Sequence, residues 1–246
     1  MERLLDATAR AERNHFWFRG FRRFVRPWLA RAGRAGPPLE ILDCGCGTGH
    51  NLAWLRAFGR STGIDLTWAG LQYARAGGER KIAQASAAAL PFGDARFDLV
   101  VSFDVIYALP DAVERAALGE MGRVLKPGGR LLLNVAALNM LRGNHSVLAG
   151  EVRRYTRPDL RRRLERTGLV VERASYTNAS ILPLVAGVRF AQRITGHVES
   201  PREISLPPWP VNAALAGLLA AEAALVRHVD LPIGSSLLVM ARKPAA

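Results

Sequence analysis

The chain has 246 residues, 49% of them hydrophobic, and its 34 lysine and arginine residues against 21 acidic residues give a net charge of +13 at pH 7. This length and composition predict one large domain with a sizeable core and exclude a fibrous or disordered chain. The two cysteines, Cys44 and Cys46, lie too close together to pair, and the sequence shows no His and Cys cluster typical of a metal site. We therefore expect a reducing, cytoplasmic location and no metal.

The N-terminal segment is predicted to form an amphipathic helix. Phe16, Trp17 and Phe21 lie on or near one face of residues 1–36, and glycines and prolines at 33–38 end the helix. We assign residues 1–38 to an N-terminal helical lid and residues 39–246 to the main domain. Arginine is dense at 3–34 and 153–173, which indicates either an anionic partner or solvated helix faces; we favour solvated faces.

From residue 39 onward, short apolar runs alternate with helical stretches. Such alternation is typical of a parallel sheet covered by helices on both faces. The expected fold class is α/β, with a doubly wound, mostly parallel sheet of seven strands. The strands are predicted at 39–44, 61–66, 81–85, 97–103, 129–135, 169–175 and 236–241, and the last closes the sheet. Helices are predicted at 51–57, 69–76, 112–124, 156–168, 181–194 and 211–229.

The segment 136–210 departs from this rhythm and is predicted to be an inserted substrate-recognition segment. Within it, Thr156 and Pro158 are typical of a helix start. The apolar runs at 181–188 and 211–226 are shorter than the roughly 20 residues of a spanning helix. No membrane-spanning segment is therefore predicted.

A glycine-rich turn follows the first strand: Asp43 precedes glycines at 45, 47 and 49, and a helix comes next. Glycines let the backbone turn sharply and approach a ligand, and a helix N-terminus suits an anionic group. Dinucleotide-binding folds use a related turn, so the turn alone leaves the cofactor open. Asp65, about 20 residues further on at the tip of the second strand, can accept both hydroxyls of a ribose. Together they predict a nucleoside-containing cofactor.

Five segments resemble the class I, Rossmann-like methyltransferase family, of the small-molecule type. In order they are 41–49 (ILDCGCGTG), 63–66 (GIDL), 89–92 (ALPF), 97–100 (FDLV) and 123–129 (RVLKPGG). The last three are not expected of a nicotinamide dehydrogenase. The resemblance implies S-adenosylmethionine as cofactor and methyl transfer as activity.

The resemblance also implies roles for individual residues. Asp43 would lie near the cofactor's ammonium group, Asp65 would bind the ribose and Leu66 would stack on the adenine. The family often has Asp where this chain has Ser86, whose hydroxyl can still accept one hydrogen bond, and Glu-His where this chain has Tyr107 and Ala108. The expected cofactor contacts are Asp43, Gly45, Cys46, Gly47, Thr48, Gly49, Asn51, Asp65, Leu66, Ser86, Ala87, Phe103 and Asp104, with Trp17 and Arg19 from the lid.

Two shorter segments are similar to a subset of small-molecule methyltransferases. They are an aromatic stretch at 15–19 (HFWFR) and the sequence RRYT at 153–156. The first implies that His15, Trp17 and Arg19 cover the cofactor. The alternative is that the aromatic side chains pack the helix onto the sheet.

Methyl transfer from a sulfonium mainly requires alignment of the reacting atoms, and a hydroxyl or carbon nucleophile also needs a base. Histidine is the natural base at neutral pH. We predict His145 as this base, with a solvated loop histidine as the alternative, and Tyr155 as a positioning group. The predicted substrate contacts are Tyr107, Asn144, His145 and Tyr155.

The leading hypothesis is methyl transfer to a small molecule, either a natural product, a lipid-like molecule or a sugar-containing one, with hydrophobic or anionic character. The alternatives are an RNA or protein methyltransferase and a non-catalytic scaffold. The segment 102–105 (SFDV) lacks the Asn/Asp-Pro-Pro-aromatic motif of nucleic-acid amine methylases. No DNA partner is expected, peripheral membrane contact is permitted but not predicted, and the sequence does not indicate an oligomeric state.

Overall fold

One mixed sheet of seven strands organises the chain. The computed structural model describes residues 8–32, 38–142, 150–195 and 206–245. The strands are β1 (Leu39–Cys44), β2 (Gly59–Asp65), β3 (Ile82–Gln84), β4 (Phe97–Phe103), β5 (Leu125–Ala136), β6 (Val170–Thr177) and β7 (Ser236–Arg242). Every strand predicted from the sequence is present, with ends that differ by a few residues.

Parallel pairing places the carboxyl ends of five strands at one edge of the sheet. The order is β3-β2-β1-β4-β5-β7-β6, and the pairs among β1 to β5 are parallel. β7 pairs antiparallel with both β5 and β6. The prediction that the last strand closes the sheet is therefore wrong, because β7 lies inside it and β6 forms the edge. The nearly continuous burial of β7 fits this interior position.

Helices cover both faces of the sheet, as predicted. They are α1 (Phe16–Ala32), α2 (His50–Leu55), α3 (Trp68–Ala76), α4 (Asp111–Val124), α5 (Arg157–Glu165), α6 (Leu182–Thr195) and α7 (Trp209–Val226). Helices α4 and α5 share one apolar cluster with the sheet. Helices α1, α2 and α7 share the other.

Helix α1 is part of the packed layer. Phe24, Val25, Trp28 and Leu29 are at most 2% exposed and pack in one cluster with residues of β1, β4 and α7. The apolar side chains of α1 therefore face the sheet. The sequence analysis gave this packing as the alternative to a lid over the cofactor. Ahead of α1, Glu12 contacts Thr48 of the glycine turn.

The predicted insertion at 136–210 contains elements of the sheet domain itself. Helix α5 and strand β6 lie within this range, and β6 is hydrogen-bonded to β7. Thr156 caps α5 as predicted, since its hydroxyl accepts a hydrogen bond from the Asp159 N–H at 3.4 Å. The part of 136–210 that lies off the sheet is consequently smaller than the sequence indicated.

Glu114 of α4 anchors the segment that follows β5. Its carboxylate is 1% exposed and accepts hydrogen bonds from Arg153 at 2.8 Å, Arg163 at 2.6 Å and the Tyr155 hydroxyl at 2.9 Å. Burial raises the pKa of Glu114, against the opposing effects of Tyr155 and the two guanidinium groups. The RRYT segment is thereby tied to α4.

Removal of Glu114 should destabilise the fold. Because a Glu114→Ala change removes the buried carboxylate partner of the largely buried Arg153 guanidinium and leaves it the exposed Asp111, we expect the free energy of unfolding to fall by about 3–5 kcal/mol. Urea denaturation followed by circular dichroism measures this change. As a control, Glu165→Ala removes an exposed pair with Arg161 at 4.0 Å and should change stability by less than about 1 kcal/mol. Equal losses of stability in the two variants would contradict the role of Glu114 as the anchor of the segment that follows β5.

Candidate functional site

The glycine turn leaves bare backbone at the carboxyl edge of the sheet. The N–H groups of Gly45 and Cys46 both donate to the Ile64 carbonyl at 2.8 Å, which holds the turn against β2. Gly45 has a φ of 92°, and a Cβ there would lie 2.3 Å from the Val105 side chain. A Cβ on Gly47 would meet nothing within 4 Å. The turn therefore needs glycine at 45 for packing and faces open space at 47.

Asp43, the residue before the end of β1, is a buried acid without a partner. Its side chain is 0% exposed, and neither carboxyl oxygen has a hydrogen-bond partner. Burial, with a smaller effect from the nearby Asp65, raises the pKa of Asp43 to about 8. Unsatisfied buried polar groups are rare in proteins. An unpartnered carboxyl beside an open loop is well placed to receive a cationic group.

Asp65 at the tip of β2 fixes the same turn from the other side. Its carboxylate accepts from the Gly47 N–H at 2.8 Å, and from the N–H and hydroxyl of Thr67 at 2.8 and 2.5 Å. A carboxylate has about four acceptor positions, so capacity is left for a ribose hydroxyl. Leu66 is 67% exposed, which leaves an apolar surface free to cover an adenine. These features fit the nucleoside part of S-adenosylmethionine.

Two further predicted contacts lie after β3. Ser86 and Ala87 are half-buried, and the Ser86 hydroxyl accepts a hydrogen bond from the Ala88 N–H at 3.2 Å. The Ser86 hydroxyl therefore stabilises its own turn. Contact of these two residues with an adenine stays a prediction.

Asp104 follows β4 beside the turn, next to the Val105 that packs against Gly45. Asn134 holds it twice: the Asn134 amide donates to its carboxylate at 3.0 Å, and the Asn134 carbonyl accepts from its N–H at 2.9 Å. Asp104 is reachable by solvent, yet the surrounding protein raises its pKa to about 7. Burial raises the pKa of the Tyr107 phenol, and the nearby Asp104 charge adds to this effect.

Residues ahead of α1 and on it also reach the turn. The Thr48 hydroxyl contacts both Glu12 carboxylate oxygens at 2.7 and 2.9 Å. Arg22 contacts the His50 ring at 2.9 Å, and burial with that guanidinium lowers the pKa of His50 to about 4. Sequence reasoning missed Glu12, Arg22 and His50, as well as Asn134, because each is an ordinary residue in its local sequence and only tertiary contacts bring it to the site.

Several predicted site residues serve the fold. Phe103 is 7% exposed and packs between Phe21 and Trp54. Tyr155 is 0% exposed and its hydroxyl donates to Glu114, so its predicted contact with a substrate does not fit this enclosure. Asn51 accepts a hydrogen bond from the Trp54 ring N–H at 3.2 Å, which ties it to its own helix.

The two lid residues have packing surroundings on α1. Trp17 is partly buried against the cluster beneath α1, and Arg19 lines a groove between α1 and α7. Contact of Trp17 and Arg19 with a cofactor stays a prediction. Asn144 and His145 lie outside the described residues. Among the described residues, no group of three or more His, Cys, Asp or Glu side chains could hold a metal ion.

The pKa of Asp43 should make the unliganded protein less stable at high pH. An unfolded aspartate titrates near 3.8, so between that pH and about 8 the folded protein holds a proton that the unfolded chain has lost. Relative to Asp43→Asn, the wild-type free energy of unfolding should fall by about 1.4 kcal/mol per pH unit across this window and then level off. Urea unfolding of both proteins from pH 5 to 9 measures the difference. If the pH curves of the wild type and Asp43→Asn are parallel, the pKa shift is contradicted. As a control, the curve of Asp94→Asn, which changes an exposed acid, should be parallel to that of the wild type.

Comparison with known proteins agrees with this geometry. Residues 42–133 match a family model described as a methyltransferase domain. A malonyl-[acyl-carrier protein] O-methyltransferase from Hahella chejuensis is 36% identical over 119 residues, which are 46% of this chain and 42% of that protein. The ubiquinone/menaquinone biosynthesis C-methyltransferase UbiE from Shewanella is 32% identical over 126 residues, covering 46% and 49% of the two chains.

A solved structure of an S-adenosylmethionine-dependent methyltransferase from Mesorhizobium loti shares the fold, with a TM-score of 0.57, 20% identity and coverage of 89% of this chain and 97% of that one. The chain spans about half the length of the curated relatives that it matches. The family match covers β1 to β5, which include the glycine turn, Asp43 and Asp65. Residues 42–133 are therefore similar to the methyltransferase-domain family, and the wider chain shares the fold of the solved methyltransferase.

Proposed function

We propose that the protein transfers a methyl group from S-adenosylmethionine to a small-molecule acceptor. The observation that carries this proposal is Asp43, a fully buried carboxyl without a partner beside a bare backbone turn. The α-ammonium of an amino acid is a cation that such a group would pair with. A dinucleotide offers no ammonium group for this position.

The residues of the turn would hold the cofactor along its length. Asp43 would bind the ammonium, the backbone at 45–49 would lie against the methionine part, and Asp65 would accept hydrogen bonds from the ribose. Leu66 would cover one face of the adenine. When bound, the sulfonium supplies an electrophilic methyl group.

Asp104 is the described residue best placed to accept a proton from an acceptor hydroxyl. Its pKa of about 7 suits exchange of a proton near neutral pH. Asn134 fixes its orientation through two hydrogen bonds, to the carboxylate and to the backbone. In this assignment Asp104 takes the role that the sequence reading gave to His145.

The names of the relatives support a small acceptor. They include O- and C-methyltransferases whose names refer to malonyl-[acyl-carrier protein] and to quinone biosynthesis. A hydrophobic molecule with a hydroxyl or carboxyl group is the class that we infer for this chain. RNA or protein methylation is the second candidate, favoured only by the net charge of +13.

Loss of Asp65 should abolish tight cofactor binding. Because Asp65→Ala removes a charged acceptor of a ribose hydroxyl and also releases the Gly47 N–H of the turn, we expect the dissociation constant for S-adenosylmethionine and for S-adenosylhomocysteine to rise at least about a hundredfold. Isothermal titration calorimetry measures it. The control Asp94→Ala, at an exposed acid, should bind like the wild type. Failure of the folded wild type to bind either compound would overturn the proposed function.

Asp104 should control the pH dependence of turnover. Its carboxylate accepts a proton only when ionised, so kcat for a hydrophobic hydroxylated acceptor should rise with pH through about 7. In Asp104→Asn this rising limb should be absent and kcat should fall by a factor of about 10²–10⁴. Its cofactor affinity, measured by calorimetry, should stay within a few-fold of the wild-type value. A variant that keeps the rising limb would exclude Asp104 as the proton acceptor.

A further inference from the structure

The outer face of helix α7 is apolar and exposed to solvent. Trp209 at its first turn is 80% exposed, and Val211, Leu218 and Leu225 are 49%, 44% and 51% exposed. These three residues and the exposed alanines between them recur at intervals of three or four, so they form one stripe along the helix, called here the apolar stripe: Val211, Ala214, Leu218, Ala221 and Leu225. A helix on the surface of a globular protein ordinarily carries polar side chains on its outer face.

The opposite face of α7 belongs to the core. Leu219, Ala223 and Val226 pack in the cluster beneath α1. Glu222, the helix's ionisable residue, is 7% exposed and its carboxylate accepts hydrogen bonds from the N–H groups of Ala179 and Ser180. Length and composition alone would let α7 cross a membrane, although a third of it is buried. With one face committed to the core, α7 can rest on a bilayer but cannot span one.

A row of arginines on α1 borders the apolar stripe. Arg19, Arg22, Arg23 and Arg26 are spaced to share one helix face, and together with Arg227 they line a groove of about 560 Å³. The wall of this groove on α7 includes Ala220 and Ala224, which adjoin Ala221 and Leu225 on the helix surface. Among the residues that the structure describes, no acidic one lines the groove.

Among the described residues, these arginines lack the carboxylate partners that several arginines of the folded core region have. Arg153, Arg163 and Arg173 each form an ion pair with a carboxylate at 3.1 Å or less. Arg19, Arg23 and Arg26 have no carboxylate within ion-pair distance in the part of the chain that the structure describes. The groove therefore concentrates uncompensated positive charge beside exposed apolar surface.

We propose that the apolar stripe of α7 and the arginine row of α1 dock the protein on an anionic lipid bilayer. Apolar side chains that enter the headgroup boundary, with arginines that bind lipid phosphates, are the two attractions that hold a helix in the plane of a membrane. Trp209 suits the interface, because an indole ring has both an apolar body and a polar N–H.

Hydrogen bonds connect the docking surface to the glycine turn. Asn212 of α7 accepts from the Phe16 N–H at 2.8 Å and donates to the Asn14 carbonyl at 3.0 Å. Glu12, just ahead, accepts from Thr48 of the turn. The N-terminal ends of α1 and α7 thus lie at the edge of the sheet that carries Asp43 and Asp65. The docking proposal does not rest on the proposed methyl transfer.

A second copy of the chain fits the surface less well. A symmetric contact would place the same patch on both subunits. The two unpaired arginine rows would then lie close to each other, and like charges oppose such a contact. Anionic phosphates instead complement the row.

The test is flotation of the full chain with vesicles, without cofactor or acceptor. We expect binding to vesicles of phosphatidylcholine with one-third phosphatidylglycerol, weak binding to phosphatidylcholine alone, and loss of binding at high salt. The triple change Arg19→Gln, Arg23→Gln and Arg26→Gln should weaken binding about a hundredfold. Leu218→Gln with Leu225→Gln should weaken it at least about tenfold.

Matched controls separate this surface from general charge. The triple change Arg80→Gln, Arg96→Gln and Arg115→Gln removes three exposed arginines elsewhere, and Val113→Gln removes an exposed apolar side chain of α4. Both should bind like the wild type, and circular dichroism confirms that every variant is folded.

Three results would overturn the proposal. The first is no binding of the folded wild type to anionic vesicles at low salt. The second is equal loss of binding in the control triple variant. The third is that the wild type sediments as a dimer and that the Leu218→Gln and Leu225→Gln changes convert it to a monomer. In that case the apolar stripe would bind a second copy of the chain. Each is independent of cofactor binding, so it is distinguishable from failure of the proposed function.

Discussion

The meeting of the carboxyl ends of β1, β2 and β4 at one edge of the sheet is the constraint on which the site depends. Parallel pairing brings Asp43, Asp65 and Asp104 to that edge from three strands that are distant in sequence. Between them the chain must reverse at Gly45, where the Val105 side chain leaves no room for a Cβ. The acids and the bare backbone of the turn therefore lie together at this edge of the sheet.

Two acids at this edge have pKa values raised above those of exposed carboxyl groups. Asp43 has no partner and a pKa near 8, and the surrounding protein raises the pKa of Asp104 to about 7. Both groups are less stable as anions than they would be in water. A bound cation at Asp43 would lower its pKa and remove the penalty. Functional sites commonly hold such perturbed groups, and ligand binding then stabilises the folded state.

The arginines fall into two structural classes, and charge counts alone do not separate them. Around Glu114, the guanidinium groups of Arg153 and Arg163 satisfy a buried carboxylate and tie the RRYT segment to α4. On α1, the arginine row faces solvent beside an apolar helix. The first class stabilises the fold. The second lies on a solvated helix face, as the sequence analysis favoured.

The sequence by itself determined the strands, the α/β class, the glycine turn and the two acids that flank it, because these depend on local periodicity and on short motifs. It did not determine that β7 inserts between β5 and β6, that Tyr155 and Phe103 are core residues, or that α1 is a fixed layer. Those outcomes depend on contacts between residues far apart in the chain, such as Tyr155 with Glu114 and Phe103 with Phe21. Tertiary packing also decided the charge states of Asp43 and Asp104, because desolvation depends on the surrounding atoms and not on neighbouring residues in the sequence.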